Sequence, residues 1–148
     1  APIQKHLPIL IGGGGEQVTL KLVAKYGDAN NVSGTPEQVA HKEEVLLKHC
    51  ETLGRDPGTI DRTVGIGNVV IRNDAAEALR IHKTQFAANG IDPAWENQPV
   101  GTVDQVVEHL APYLKIGYRH LIAGFSTPHD EESMIRFAEE VLPKLKQI

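Results

Sequence analysis

The chain has 148 residues, of which 41% are hydrophobic and 23% are charged, a composition typical of one soluble globular domain. Its formal net charge is −4, with 15 Lys and Arg against 19 Asp and Glu spread along the chain, which argues against a nucleic-acid-binding surface. No apolar run approaches the ~20 residues that cross a bilayer, and no secretory leader pattern opens the chain. We therefore expect a cytoplasmic protein without nucleic-acid or membrane partners, in which residues 1–148 form a single region.

The first predicted element is a short strand that leads into four consecutive glycines. Ile9–Ile11 is a continuous apolar run, which predicts a strand covered on both faces. A helix is predicted over Glu16–Tyr26, closed by Gly27. The apolar residues on its predicted buried face are Val18, Leu22, Val23 and Tyr26. Because residue 1 is Ala and the strand follows almost at once, we expect the sequence to be part of a longer protein.

The second predicted unit begins with a weaker strand over Asp28–Val32 and a turn. Thr35-Pro36-Glu37-Gln38 then places Thr at the N-cap, Pro at the first helical position and Gln three residues after the cap. These three signals predict a helix that runs to Leu53. The residues predicted to face its core are Val39, Leu46, Cys50 and Leu53.

The third predicted unit has a longer strand and an excursion after its helix. Ile60–Ile71 is rich in Val and Ile, and within it Gly65 and Gly67 indicate a bulge or a close approach to the backbone. A helix over Asp74–Asn89 follows. Gly90–Pro99 holds two prolines and the only tryptophan, and we expect an excursion there because the segment is too short to separate independent cores.

The fourth predicted unit begins with a repeat. Gly101–Val106 repeats Gly34–Val39 almost residue for residue, with Thr three positions before Gln in both, which indicates either repeated βα units or two independent capping boxes. A strand over Tyr118–Phe125, a turn over Ser126–Pro128 and a helix over Asp130–Lys146 follow. The residues predicted to line the buried face of that helix are Met134, Phe137, Val141 and Leu145.

The alternation of strands and helices predicts an α/β fold with parallel strands joined by right-handed crossovers. A closed (β/α)8 barrel usually takes about 250 residues, and four βα units fill about half of one. The sequence therefore predicts half of a TIM barrel.

The glycine loop Gly12–Gly15 has the outline of a phosphate-binding turn, because glycine lets backbone N–H groups approach an anion at a helix start. It lacks the dinucleotide fingerprint, since the sixth residue from Gly12 is Gln17, and it lacks the Gly-Lys-Ser/Thr ending of a Walker A loop. A merely tight turn remains an alternative. The carboxylate of Glu16 would repel phosphate unless it points outward, so the expected donors are backbone amides, with Thr19 as a further candidate.

The seven histidines raise the question of a metal site, but their spacing argues against one. His41 and His49 are eight residues apart on a strongly charged helix, where a solvated face is the simpler interpretation. His129 and Asp130 follow the fourth strand on the side where barrel active sites are built, although they also suit a helix start. We interpret Cys50 as a small core residue, and a single cysteine excludes an internal disulfide.

A family resemblance extends over nearly the whole chain. The residues that carry it are Pro8–Glu16, Thr19-Leu20, Leu22–Ala24, Tyr26–Ala29, Gly101-Thr102 and Gln105-Val106. In these segments the sequence resembles the C-terminal half of bacterial-luciferase-like flavin or deazaflavin oxidoreductases, most closely the branch that depends on coenzyme F-420 (F420). The glycine run and its following helix are the more specific part of the resemblance.

The resemblance implies a (β/α)8 barrel in which the loop after the fifth strand holds the cofactor phosphate. It places the backbone amides of Gly13, Gly14 and Gly15 at that phosphate, with Glu16 and Thr19 as further candidates. Members of the family transfer hydride to or from a deazaflavin, or use reduced FMN with oxygen, so the implied cofactor is F420 or FMN and the implied partner is a small-molecule substrate. The first four strands are absent here, so we assign no catalytic residue and expect the isolated chain to be inactive.

Three functional hypotheses follow. The leading one is the phosphate-binding half of a luciferase-like oxidoreductase or monooxygenase, whose missing N-terminal half supplies the ring pocket. The second is a non-catalytic half-barrel that acts as a binding or assembly module and pairs with a homodimer mate, because both end strands would otherwise expose unpaired ladder groups. The third is a phosphosugar-binding barrel enzyme.

Overall fold

Strands and helices alternate along the chain, which confirms the predicted α/β class. The computed structural model describes residues 3–92, 97–126 and 129–148. Residues 93–96 of the predicted excursion and residues 127–128 of the predicted turn lie outside this range. The elements are β1 Leu10–Gly12, α1 Thr19–Tyr26, β2 Ala29–Ser33, α2 Pro36–Leu53, β3 Asp61–Asn68, β4 Val70–Ile71, α3 Ala75–Ala88, β5 Val100–Gly101, α4 Val103–Ile116, β6 His120–Gly124, α5 Glu131–Arg136 and α6 Leu142–Leu145. Among the described helices, none has the length and apolarity that a bilayer crossing requires.

The chain divides into two compact units. The first comprises the residues up to Gly65 together with Tyr118–His120, and the second comprises Ile66–Gly117 and Leu121–Ile148. Strand β3 therefore contributes residues to both.

The sheet of the first unit is parallel. Strand β1 pairs with β2 from Leu10 opposite Ala29 to Gly12 opposite Asn31, and β2 pairs in turn with the first five residues of β3. Because the strands are parallel, their carboxyl ends lie at the same edge of the sheet. Helices α1 and α2 pack together beside it. The cluster at the core of this unit contains Val23, Ala24, Leu46, Cys50 and Ile60, which confirms the prediction for Cys50.

Several predicted buried faces are wrong. Helix α1 begins at Thr19, three residues later than predicted, and its buried stripe is Leu20, Val23 and Ala24. The other predicted core residues of α1 are exposed: Val18 by 65%, Leu22 by 43% and Tyr26 by 54%. Leu53, in the last turn of α2, is also exposed, as are Ile9 and Leu10, because the described residues cover β1 only partly.

Helix α1 ends at Tyr26 with Gly27 as its C-cap, as predicted, and an arginine adds further contacts at this end. Gly27 has an extended conformation, with φ −77° and ψ 140°, and its amide donates to the carbonyl of Val23 at 2.9 Å. The guanidinium group of Arg55 donates to the carbonyl oxygens of Val23, Ala24 and Gly27 at 3.3, 3.2 and 2.7 Å. A side chain from the loop after α2 thus satisfies the carbonyls of Ala24 and Gly27 and adds a second donor to that of Val23, which also accepts from the Gly27 amide.

A second arginine holds α2 to β3. Arg62 donates from Nε and Nη2 to Oε1 of Glu43 at 3.2 and 3.0 Å, and it also donates to the carbonyls of Pro57 and Ile60. The hydroxyl of Tyr118 donates to the same carboxylate at 3.3 Å. Burial, together with the nearby Glu43 carboxylate, raises the pKa of Tyr118 above its ordinary value, so the phenol stays protonated.

In the second unit, the long strand predicted over Ile60–Ile71 is interrupted. Strand β3 ends at Asn68, after Gly67 takes a positive φ of 83°, and β4 then pairs with β5 in a separate two-stranded parallel sheet. Here β6 lies beside the last part of β3, with the Val69 amide donating to the Gly124 carbonyl at 2.9 Å. The prediction of a close approach to the backbone is confirmed at Gly67, where a Cβ would lie 2.3 Å from Oε1 of Gln98.

The final helix is not continuous as predicted. A π turn over Phe137–Val141 separates α5 from α6, and Pro143 follows it. Proline has no N–H for the carbonyl of Glu139 and its ring crowds that carbonyl, so a wider turn relieves the conflict. Met134 is exposed, whereas Ser133 is buried.

Ser133 is buried because it belongs to a polar cluster at the start of α5. Its hydroxyl donates to Oδ2 of Asp130 at 2.7 Å and accepts from the amide of Ile71 at 2.8 Å. Arg72 donates to Oδ1 of Asp130 at 3.0 Å. Burial alone would raise the pKa of Asp130, but the hydrogen bonds from Arg72 and Ser133 hold it below its ordinary value. Asp130 is also the N-cap of α5, which confirms the helix-start interpretation.

Both copies of the repeated hexamer form complete capping boxes. Thr35 accepts from the amide of Gln38, and the side chain of Gln38 accepts from the amide of Thr35; Thr102 and Gln105 repeat this arrangement. In each copy the preceding glycine has a positive φ, and a Cβ there would lie 2.5 Å from the Gln Oε1. The repeat is therefore structural as well as sequential, and each copy connects a strand to a helix.

We expect Thr35→Ala and Thr102→Ala each to lower the free energy of unfolding by about 1 kcal/mol. In each variant the backbone amide of the following Gln, Gln38 or Gln105, loses its side-chain acceptor. Urea denaturation of the 148-residue chain measures this. Thr52→Ala is the matched control, since Thr52 is an exposed residue near the end of α2 whose hydroxyl bonds only to the carbonyl of Lys48. Equal losses in all three variants would contradict the capping assignment.

Candidate functional site

The glycine loop begins where β1 ends. Gly13 has a φ of 116°, a conformation that favours glycine, and its amide donates to the carbonyl of Asn31 at 2.8 Å. This bond extends the pairing of β1 with β2 by one residue. The Gly13 amide is therefore engaged by the sheet, and Gly13 contributes to the loop through its backbone conformation.

Gly14 and Gly15 form the open part of the loop. Within the described residues, their amides have no hydrogen-bond partner. A Cβ on Gly14 would lie 2.6 Å from Cε of Lys42, and a Cβ on Gly15 would lie 3.0 Å from Oγ1 of Thr19. The loop thus presents backbone donors with a lysine side chain and a threonine hydroxyl close beside them.

A buried asparagine holds this loop to the sheet. Asn30 is only 1% exposed, and its Nδ2 donates to the carbonyls of Ile11 and Gly13 at 2.8 and 3.3 Å. Its Oδ1 has no partner in the described part of the chain. Asn30 could not be recognised from the sequence, because a polar residue in a short strand does not stand out from the pattern of apolar residues.

Glu16 is directed toward α2. Its Oε1 lies 3.0 Å from Nε2 of His41, and its carbonyl lies 2.8 Å from Nε2 of His49. The predicted solvated face is therefore only partly correct: His41 is exposed, but both histidines contact Glu16. The pairing with His41 occupies the carboxylate that would otherwise oppose an anion at the loop.

Lys42 is the cation of the site, and sequence reasoning missed it. Its Nζ donates to the carbonyl of Ser33, the last residue of β2, at 2.6 Å, and its side chain passes over Gly14. The predicted topology could have pointed to it, because parallel strands bring the ends of β1 and β2 to one edge of the sheet, and α2 starts at that same edge. A cation in the first two turns of α2 is therefore a candidate neighbour of the loop.

Thr19, the first residue of α1, is the remaining predicted site residue. It is half-buried and its hydroxyl lies beside Gly15. The amide of Leu20 donates to the carbonyl of Gly15 at 2.9 Å, so the loop closes directly onto the first turn of the helix. The positive end of the α1 dipole adds to the field of the loop amides.

Neither a protein-family model nor a curated protein matches the chain. Solved structures do. The F420-dependent tetrahydromethanopterin reductase from Methanopyrus kandleri is 17% identical, with a TM-score of 0.72 over 94% of this chain and 51% of that one. An F420-dependent secondary alcohol dehydrogenase, solved with an F420-acetone adduct, is 18% identical with a TM-score of 0.75 over 95% and 49%. The oxygenating constituent of 3,6-diketocamphane monooxygenase from Pseudomonas putida, solved with FMN, is 16% identical with a TM-score of 0.65 over 95% and 49%.

The chain has the fold of half of such an enzyme. It spans about half the length of these structural neighbours, which are luciferase-like TIM-barrel proteins. The resemblance inferred from the glycine loop is thereby confirmed at the level of the fold. Across residues 3–92, 97–126 and 129–148, no three His, Cys, Asp or Glu side chains gather into a possible metal site.

The start of β1, and with it the loop, is anchored by Asp28. Its Oδ2 accepts from the Ile9 amide at 2.7 Å and lies 2.9 Å from Nε2 of His6. The hydrogen bond from Ile9, followed by that from His6, holds the pKa of Asp28 below its ordinary value. A depressed carboxyl pKa stabilises the folded state above about pH 4, and this contribution is lost as the pH falls through the folded-state pKa.

We therefore expect the amide chemical shift of Ile9 to titrate below about pH 4, as protonation of Asp28 weakens its bond to Ile9. An NMR pH titration of the 148-residue chain measures this. In Asp28→Ala the titration should disappear and hydrogen exchange at Ile9 should become several-fold faster at neutral pH. Asp61→Ala, at the exposed start of β3, serves as the control and should leave Ile9 unchanged. An Ile9 amide that does not respond between pH 5 and pH 2 would contradict the anchor.

Proposed function

We propose that this chain is the cofactor-phosphate-binding half of an F420- or FMN-dependent oxidoreductase or monooxygenase. The observation that carries the proposal is the loop after β1, where the unpaired amides of Gly14 and Gly15 lie beside the side chain of Lys42. The fold that the chain shares with F420-dependent and FMN-dependent enzymes supports the cofactor class. Phosphate loops of this kind bind through backbone donors at a helix start.

The residues present fit a phosphate group. Gly14 and Gly15 donate from their amides, Thr19 offers a hydroxyl, and Lys42 supplies the positive charge. A Cβ on Gly14 would meet the flexible end of Lys42 and a Cβ on Gly15 would lie 3.0 Å from Thr19 Oγ1, so the absence of side chains lets both neighbours lie close to the loop. When bound, the deazaflavin or flavin would supply the hydride or oxygen chemistry.

Glu16 remains a candidate contact through its backbone. Its carboxylate is paired with His41, so its side chain opposes the phosphate less than an unpaired carboxylate would. Its amide follows those of Gly14 and Gly15 along the chain. In this proposal Gly13 shapes the turn, while its own amide holds β2.

The remainder of the active site belongs to a second set of strands. Within the described residues, β1 has a strand on one side only, and Ile9 and Leu10 are 47% and 55% exposed. We propose that the other half of a longer chain covers this edge and supplies the ring pocket, the substrate site and the catalytic side chains. A homodimer mate and a phosphosugar enzyme are the competing hypotheses.

The phosphate assignment predicts that the 148-residue chain binds FMN more tightly than riboflavin, which has the same ring without the phosphate. Lys42→Met should weaken FMN binding about 10- to 100-fold, because one charge-assisted contact is lost. Flavin fluorescence titrations of the two ligands measure this. Lys48→Met, an exposed lysine on the same helix, is the matched control and should change neither affinity.

Gly14→Glu provides an independent arm. Its side chain would displace Lys42 and place a carboxylate at the loop, so FMN binding should fall at least as far as in Lys42→Met. Equal affinities for FMN and riboflavin in the unmodified chain would refute the phosphate assignment. Binding of sugar phosphates without binding of FMN would favour the phosphosugar hypothesis.

The half-barrel proposal predicts an exposed apolar edge on the isolated chain. We expect the chain to enhance the fluorescence of an apolar dye, and Ile9→Lys with Leu10→Lys to reduce that enhancement several-fold, because the substitutions introduce charge at the open edge. Sedimentation velocity provides the second measurement. A discrete dimer that Leu10→Lys dissociates would favour the assembly-module hypothesis over a missing half.

A further inference from the structure

A cavity of about 360 Å³ lies at the carboxyl ends of β3 and β6, wholly within the second unit. The glycine loop belongs to the first unit. The apolar lining residues of the cavity are Phe86, Ile91, Ile122 and Phe125. Its polar side chains are Asn68, Gln98 and Ser126. No Lys, Arg, Asp, Glu or His is among the described residues that line it.

The polar end of this cavity is fixed by hydrogen bonds. Asn68 is 7% exposed, and its backbone N–H donates to Oε1 of Gln98 at 2.6 Å. Gln98 in turn lies against Gly67, where a positive φ and the absence of a Cβ allow the close approach. The side chain of Ser126 donates to Oδ1 of Asn68 at 2.8 Å. These contacts position Asn68 and Ser126 at the ends of neighbouring strands.

Behind Asn68, the side chains that contact it, Gln85 and His82, are also uncharged. Its Nδ2 lies 3.4 Å from Oε1 of Gln85 and 3.5 Å from Nδ1 of His82, whose ring packs on Phe86 with centroids 4.1 Å apart. Burial, followed by the nearby Lys83, lowers the pKa of His82, so the imidazole is neutral at neutral pH. The described lining of the cavity, which is open to solvent on one side, therefore offers no charged side chain to balance a ligand charge.

The hydrogen-bond directions define which ligand groups fit. The Ser126 hydroxyl uses its proton on Asn68, so its remaining capacity toward the cavity is that of an acceptor. The side-chain N–H groups of Asn68, on Nδ2, are directed to Gln85 and His82 rather than to the cavity. A ligand that donates an O–H or N–H to Ser126 thus completes the polar end, while its body contacts the aromatic and aliphatic wall.

We propose that this cavity is a binding site for an uncharged, largely apolar alcohol or amide, which donates one hydrogen bond to Ser126 Oγ. Cavities at the carboxyl ends of parallel strands are common binding sites, and a volume of about 360 Å³ suits a small aromatic molecule. The site does not depend on the phosphate assignment of the glycine loop.

Three matched probes test this proposal on the 148-residue chain: benzyl alcohol, its methyl ether, and benzoate. We expect benzyl alcohol to bind with a Kd on the order of 1 mM, as is usual for a ligand of this size. The chemical-shift changes should centre on the amides of Gly124, Phe125 and Ser126. The ether should bind about threefold to tenfold more weakly because it has no donor, and benzoate should not saturate.

Three variants separate the wall from the polar end. Ile122→Ala should weaken the alcohol and the ether equally, by about fivefold, because apolar contact is lost. Ser126→Ala should remove the preference for the alcohol over the ether. Leu79→Ala, an exposed leucine on α3 that does not line the cavity, should change neither affinity. An unchanged thermal midpoint and amide spectrum show that each variant is folded.

Several outcomes would overturn the proposal. These are equal binding of the alcohol and its ether to the unmodified chain, saturable binding of benzoate at least as tight as that of the alcohol, or shifts that map outside the cavity. Because none of these ligands carries a phosphate, failure here leaves the FMN result unaffected. Conversely, loss of FMN binding in Lys42→Met should leave the affinity for benzyl alcohol unchanged, because Lys42 does not line the cavity.

Discussion

The pairing of β1 with β2 is the constraint on which the glycine loop depends. A parallel register fixes where β1 ends, and the bond from the Gly13 amide to the Asn31 carbonyl carries the pairing one residue into the loop. The side chain of Asn30 then donates to the carbonyls of Ile11 and Gly13, which lie on either side of Gly12. Gly13 is the last residue of the loop that the sheet engages, and the amides of Gly14 and Gly15 have no partner within the described residues.

Arginines join elements in both units that apolar packing alone would leave loosely connected. Arg55 closes the end of α1, Arg62 joins α2 to the start of β3, and Arg72 holds the start of α5. A guanidinium group has five donors in a planar fork, so one side chain satisfies several carbonyl or carboxylate oxygens at once. In the pairs of Arg62 with Glu43 and of Arg72 with Asp130, removal of one partner would leave a largely buried charge uncompensated, which is costly even where the intact pair adds little net stability.

The features predicted correctly from the sequence are those whose causes are local. A Thr, a Gln and the preceding glycine lie within five residues, so both capping boxes could be predicted, and the alternation of strands and helices gave the fold class. The buried face of α1 was wrong because apolar residues occur on more than one side of this helix, and its packing against α2 decides that Leu20, Val23 and Ala24 are covered. Lys42, Arg55 and Asn30 were missed because they act on carbonyls that lie 9 to 32 residues away, and composition carries no record of such contacts.

The charge balance at the loop indicates how selectivity would arise there. Lys42 contributes one positive charge beside the loop, and the Glu16 carboxylate is turned toward His41. An anion would therefore be recognised chiefly by aligned neutral amides and the start of α1, whose contributions depend on geometry and fall steeply with misplacement. The chain has a net charge of −4, so its overall field repels anions, and an anion at the loop would have to be held by short-range contacts. A phosphate attached to a larger, well-positioned ring system would be favoured over a free phosphate, because contacts to the ring would hold it in the required orientation.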